Sequence, residues 1–454
     1  MTTQPAHPTT PPVVWLARSS DCKPGRDASW VERMLESLAP WTPPPVGILA
    51  GAATPIRRGG RVAALAALNE IDPDRYARTR NHLAGAITRL SPWLRHGVLS
   101  TAEVRDTACR LVEQPQQAEK LISELAWRDY WQQVYASLGE AIDSDLEPPA
   151  ATSRRPQLSE VPDDVLSAST GMACVDAWVR ELHSTGFLHN HVRMWLASWL
   201  VHARGVRWQA GAAWFLSQLL DADPASNTLS WQWVAGTFSA KPYIFNRDNL
   251  ERYSEGRWCQ TCPLAGGCDL EGSYEDLTAA WFSTPARERP RCRIAPAKPW
   301  QPGSPGASGS AEPVVWITLD ALAETSPAAA AHPQAPRVCV IDPEWLARER
   351  PSRLRLQFIL ECLAEISHLD LAVGPPQLAL SEAIADRRGS GIVMNDTVCP
   401  VTRQQAASLA AEHPLMVLPA AGLADRARVN DLGRFSRYWS KIRRSAMQPG
   451  DAAG

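Results

Sequence analysis

Two stretches decide the reading of this sequence: HSTGFLHNHVRMW (His183–Trp195) and RWQAGAAWFLSQLLDADPASNTLSWQWVAGTFSAKPYIFN (Arg207–Asn246). Just before the first, Val175, Trp178, Val179 and Leu182 recur at helical spacing, and Gly186 is a residue suited to stopping that helix. The next helix, His189–Arg204, is apolar nearly all round through Val192, Trp195, Leu196, Trp199 and Leu200, so it is expected to be buried on most sides. A third helix, Trp208–Leu220, repeats Trp208, Ala212, Phe215 and Leu219. Just past it stand Asp221 and Asp223, two positions apart and beside Pro224. Two carboxylates there can accept hydrogen bonds from O–H or N–H donors of a ligand. Either alone could instead cap the helix that follows.

Outward from this centre, residues 61–285 read mostly as helix and 286–312 as a Pro/Gly/Ser linker. Between 313 and 424 short apolar runs appear at Val314–Ile317, Val338–Ile341, Leu369–Val373, Ile392–Met394 and Leu415–Leu418. Helical patterns at Arg353–Ile366 and Arg403–Ala411 separate them. Buried strands alternating with helices predict a parallel α/β sheet. Residues 1–60 hold a strand near Val13–Leu16 and a short helix near Ser29–Leu38, with no function assigned. Residues 425–454 form a basic, helix-compatible tail.

Composition excludes several classes. Hydrophobic residues are 45% and charged residues 21% of the 454, which rules out wholesale disorder. A net charge of −2 excludes a globally basic nucleic-acid coat, although not a local basic groove. No run of 18 apolar residues exists, and Met1–Pro12 lacks the pattern of a secretory signal. A cytoplasmic monomer without membrane contact is expected, so ten Cys need a role other than disulfides. No Lys follows a Gly, which removes the P-loop, and neither His-Glu-x-x-His nor Gly-x-Ser-x-Gly occurs. The α/β region lacks Gly-x-Gly-x-x-Gly, so a structural or interaction module is an open reading for it. Trp is abundant: 19 against 7 Phe and 7 Tyr, with core packing the ordinary explanation for most of them.

Thr-Gly-x-x-His-Asn-x-x-Arg-Met (from Thr185), then Asp221-x-Asp223, Asn227 and Trp231-Gln-Trp233, closely resembles the flavin-binding domain of the photolyase/cryptochrome family, over roughly 70–255. The resemblance implies an all-helical FAD-binding domain followed by a small parallel α/β (Rossmann-like) domain. That order is permuted, because the family usually places its α/β antenna domain first. It implies an Arg193–Asp221 ion pair beside the isoalloxazine and Asn227 against flavin N5, where an amide can accept from a protonated N5. In ITRLSPWLRHGVLS, Thr88, Leu90 and Ser91 fall where the family binds the FAD diphosphate, with Ile87 replacing the family's first Thr. Tyr76, Arg128 and Asp223 join the cofactor set. In ELAWRDYW, Glu124 and Trp127 fall where the family reads a flipped pyrimidine dimer; Met194 and Trp233 complete that pocket. Asn190 with Met194 is the pattern of cyclobutane-dimer enzymes. Trp231 and Trp208 match the first two members of the family's electron-transfer triad. Residues 150–165, where the third belongs, contain neither Trp nor Tyr, so a substitute through Trp195, Trp199 or Trp214 would be needed.

Cys259-x-x-Cys262-x5-Cys268 has metal-ligand spacing. Resemblance to the iron–sulfur bacterial branch of the family points to Cys174 as a fourth ligand and to a [4Fe–4S] cluster. Structural zinc and unligated thiols stay open. The expected function is FAD-dependent, blue-light-driven repair of cyclobutane pyrimidine dimers in DNA, a carbon–carbon lyase reaction. The alternative is a cryptochrome-like photoreceptor that binds FAD without repair. The antenna chromophore is left unassigned.

Overall fold

The computed structural model describes residues 12–19, 26–44, 57–284, 292–301, 312–387 and 389–449. Among them are eight strands: β1 (Val14–Ala17), β2 (Thr152–Ser153), β3 (Phe282–Thr284), β4 (Val314–Ile317), β5 (Arg337–Ile341), β6 (Leu369–Val373), β7 (Ile392–Asn395) and β8 (Leu415–Leu418). Six form one sheet in the order β1-β6-β5-β4-β7-β8; β2 and β3 make a separate short ribbon. From β4 to β8 every pairing is parallel. Every residue of β4, β5, β6 and β7 is buried, which explains their mostly apolar runs, broken only by Arg337, Asp370 and Asn395. The chain steps from β4 out to β6 and then crosses back to β7, so strand order reverses at the β4–β7 pair.

The sheet differs from an all-parallel expectation at one edge. β1 pairs antiparallel with β6, with Val14 opposite Val373. The N-terminal segment therefore has a structural place. After β1, helix Ala28–Leu38 is capped by Asp27 and buries Trp30, Val31, Met34, Leu35 and Leu38 in the core shared with helix Arg353–Ala364.

In the helical unit, helix Ala173–Thr185 stops at Gly186 in the left-handed region (φ 67°), where a Cβ would come within 2.8 Å of Leu220. The helix after His189 is α-helical over Asn190–Ser198 and continues as a π-helical turn, Trp199–Ala203. The helix from Trp208 ends at Gln218, because Leu219 is already extended. The basic C-terminal segment is no free tail. Helix Phe435–Ala446 packs on helix Glu119–Leu138, with buried Tyr438 donating to Asp129 and Arg426 pairing with Asp129 at 2.9 Å. Among the described residues no helix is long and apolar enough to cross a membrane.

The sheet and the helical unit meet at the ends of β4 and of helix Arg353–Ala364. Buried His96 bridges Leu319 O at 2.7 Å and Leu220 O at 3.2 Å. Ser352 N–H donates to Ser217 O at 2.7 Å. These contacts hold the loop that carries Asp221 and Asp223.

Candidate functional site

The loop Leu219–Asp223 joins two helices and turns both carboxylates inward. Asp223 caps helix Pro224–Ala235 by accepting from Ser226 N–H at 3.2 Å, and it also pairs with Arg128. Gln132 Nε2 adds donors to its two oxygens at 3.0 and 2.8 Å. Capping and ion pairing thus coexist on one side chain. Burial opposes its ionisation, but Arg128, Arg95 and the cap bond outweigh burial and hold its pKa at about 2.

Asp221 Oδ2 accepts from Arg193 at 2.9 Å, joining the two residues that the sequence paired. Its Oδ1 is buried and has no donor among the described residues. An orphaned carboxylate oxygen of this kind fits a ligand that brings its own N–H or O–H. Ala222 O, between the two carboxylates, accepts from Arg95 at 3.0 Å and Arg355 at 3.4 Å. Asn227 donates Nδ2–H to Ala212 O at 2.9 Å, which fixes the amide and leaves its oxygen as an acceptor.

Around this centre the other candidates take their places. Leu90, Ser91 and Thr88 lie at the start of helix Ser91–Arg95; Leu90 is buried, and its N–H reaches Thr88 Oγ1 at 3.4 Å. Tyr76 is half-buried on helix Pro73–Thr79, and burial, then the nearby Glu124 carboxylate, push its phenol pKa up. Glu124 pairs with Lys120 at 2.8 Å and Arg80 at 3.3 Å. Trp127, four-fifths of a turn further along the same helix, is half-buried. Phe435 stacks on one of its faces at 3.8 Å and 13°. Asn190 is exposed, with its amide 3.7 Å from Met194 Sδ, and Trp233 is half-buried against Tyr243. Trp231 is buried against Phe215, and Trp208 is buried with its indole N–H on Asp145.

The four predicted thiols converge. Cys174, Cys259, Cys262 and Cys268 line one pocket together with Met172, Leu250 and Trp258. Burial, then the neighbouring Cys259 thiol, raise the pKa of Cys174; Cys259 is pushed up to about 11, foremost by burial. Among the described residues no group of three or more His, Cys, Asp and Glu is arranged to hold a single metal ion.

Residues 121–274 match the family model described as the FAD binding domain of DNA photolyase. Over these residues the chain is similar to the FAD-binding domain of the photolyase/cryptochrome family. A deoxyribodipyrimidine photo-lyase of Streptomyces griseus is 39% identical over 171 residues, covering 36% of this chain and 35% of that one. Cryptochrome DASH of Oryza sativa subsp. japonica is 35% identical over 188 residues, covering 39% and 32%. A Thermus thermophilus deoxyribodipyrimidine photo-lyase is 34% identical over 250 residues, covering 50% and 58%. The chain therefore spans about a third of the length of the first two photolyase/cryptochrome relatives. Among solved structures, a bacterial class III photolyase from Agrobacterium tumefaciens superposes with TM-score 0.37 at 27% identity, covering 45% of this chain and 46% of that one. The photolyase-type motifs exposed Asp221, Asp223, Arg193 and Arg128 to sequence reading. They gave no sign of Gln132, Arg95, Arg355 or Phe435. Only Gln132, four residues beyond Arg128 on one helix, had a local signal.

Proposed function

We propose that this protein binds FAD between the Arg193–Asp221 and Arg128–Asp223 pairs and splits cyclobutane pyrimidine dimers in DNA under blue light. The observation that carries the reading is the buried, donorless Oδ1 of Asp221 beside a charge-paired Arg193. When bound, the flavin supplies one electron on excitation and recovers it after the ring has split. The chain's residues do the rest. Arg193 pairs with Asp221 and Arg128 with Asp223, and Asn227 presents an amide oxygen. Trp127 offers one aromatic face to an extrahelical dimer, its other face being backed by Phe435; Trp233 offers a second wall, and Glu124 reads a polar edge. Asn190 and Met194 suit cyclobutane dimers. Trp231 and Trp208 serve flavin photoreduction, and Thr88, Leu90, Ser91 and Tyr76 line the remainder of the FAD site. Binding depends on Arg and Lys contacts to phosphates, so it weakens as salt rises.

The four-thiol pocket is proposed as the seat of a [4Fe–4S] cluster, with Cys174, Cys259, Cys262 and Cys268 as ligands. The α/β unit is proposed as the family's antenna-type domain in permuted order, on the strength of its strand order and its place after the helical unit. A photoreceptor role is the second reading, favoured by the cryptochrome DASH relatives.

One repair assay tests the main reading: purified flavin-loaded protein, dimer-containing DNA, a reductant and blue light. Light-dependent loss of dimers is expected, abolished in Trp127→Ala and strongly reduced in Glu124→Ala. No light-dependent loss in the unaltered protein refutes it and leaves the photoreceptor reading. Metal analysis with EPR tests the pocket: iron and sulfide lost in Cys174→Ala are expected, and zinc alone would overturn the cluster.

A further inference from the structure

We infer that Asp145 ends the Trp231–Trp208 relay by taking the indole proton of Trp208 when that residue gives up an electron. The inference rests on the flavin reading above. Trp208 Nε1–H donates to Asp145 Oδ1 at 2.7 Å. Trp208 is only 5% exposed, whereas Asp145 faces water. Trp231 lies one step inward: its ring covers Gly211, one turn beyond Trp208 on the same helix, so closely that a Cβ there would fall 2.3 Å from Cη2.

The carboxylate is held in place by the residue between the two Trp of Trp-Gln-Trp. Gln232 is wholly buried. Its Nε2 donates to Ile142 O at 2.6 Å and Ser144 O at 3.0 Å, and its Oε1 accepts from Leu146 N–H at 3.0 Å. Glu147 N–H donates to Thr237 O at 2.8 Å. Both sides of Asp145 are therefore tied to the helix that carries Trp231 or to its C-terminal turn.

This arrangement answers the gap at 150–165. With no Trp or Tyr there to carry an electron hole outward, trapping a hole on Trp208 itself takes the place of a third aromatic and prevents its refilling by back-transfer. Loss of an electron makes an indole N–H far more acidic, and a carboxylate already bonded to it accepts the proton without rearrangement. One electron passes from Trp208 through Trp231 to the photoexcited flavin. The Nε1–H bond breaks, the proton binds Asp145 Oδ1, and from there it leaves to water. The neutral Trp208 radical lacks the positive charge that would favour return. A thiol in solution then restores Trp208 by donating a hydrogen atom, and two thiyl radicals pair as a disulfide.

Flash photolysis of the flavin-loaded full chain, with a dithiol reductant, tests the proposal in the unaltered protein, Asp145→Asn and Trp208→Phe. Asn keeps the shape and an acceptor oxygen but is no base. The unaltered protein should show a neutral Trp radical. Asp145→Asn should show a cationic one, with about a ten-fold drop in photoreduction yield and unchanged flavin content and melting midpoint. Trp208→Phe should show no long-lived Trp radical. The same neutral radical and yield in Asp145→Asn overturn the proposal, as does a Trp radical that survives Trp208→Phe. A protein that binds no flavin overturns the flavin reading and this proposal with it.

Discussion

Asp223 joins three interactions in one buried carboxylate: a helix cap, an ion pair and a bidentate amide contact. Removing its cation strands the charge. Arg128→Met should destabilise the fold by about 3–5 kcal/mol, read by denaturant unfolding, and a loss below 1 kcal/mol would contradict the pairing. The pH dependence has a definite sign. The folded-state pKa, about 2, lies below the ordinary 3.8, so the ionised group stabilises the fold fully above about pH 4. That contribution fades as pH falls toward 2, and Arg128→Met should shift acid unfolding to higher pH. Asp221 has the opposite character: one oxygen is paired and the other waits for a donor. Asp221→Ala should lower flavin affinity by about ten-fold or more, read by visible flavin absorbance per protein after dialysis. Full retention would remove Asp221 from the site.

At the scale of elements, the α/β unit reaches into the loop Leu219–Asp223 through helix Arg353–Ala364. Arg355, 1% exposed, pairs with Glu349 at 2.6 Å and donates to Leu216 O at 2.6 Å and Ala222 O at 3.4 Å. Changing both partners together, Arg355→Met with Glu349→Leu, removes the clamp without leaving a buried charge unpaired, so stability should stay within about 1–2 kcal/mol. Flavin affinity should nevertheless fall, because the loop between Asp221 and Asp223 loses a donor; unchanged affinity by titration would show that the helix merely packs there. None of this coupling was visible in the sequence. The five strands β4–β8 were legible as short, mostly apolar runs, four of them fully buried, and Gly186 because a left-handed turn ends that helix. The Asp-x-Asp pair was legible through its motif. Arg355, Phe435 and the pairing of β1 with β6 were not, since each contact joins residues more than a hundred positions apart and leaves no periodic trace. The π-helical turn at Trp199–Ala203 was hidden because its mostly apolar residues fit the pattern of either helical form.

Across the whole molecule, buried histidines set the acid limit. His96 is held at about 3, and His183, His189 and His202 at about 4, each foremost by burial. Their folded-state values lie below the ordinary 6.5, so the unfolded chain binds more protons as pH falls. Their stabilising effect is full above about pH 6.5 and is lost progressively down to pH 3–4. Denaturant midpoints should therefore drop steadily between pH 7 and 4.5, well above the range in which Asp223 titrates; a flat profile over that window would refute the burial of these rings. The two ends of the chain are also crossed: β1 and helix Ala28–Leu38 belong to the sheet, while helix Phe435–Ala446 lies on the helical unit. A protease site inserted among residues 303–310 should, after cutting, leave the halves co-eluting on size exclusion, and their separation would contradict the crossing. Timing follows from the same interlacing. On the ribosome, β1 emerges about 350 residues before its partner β6 is complete, a wait of roughly 20–70 s at about 5–20 residues per second. The helical unit is made early, yet the face of Trp127 stays bare until Phe435, about 300 residues further along, arrives to back it. Newborn chains thus pass through an interval with an unpaired N-terminal strand and an open aromatic wall, a window in which a chaperone has something to hold.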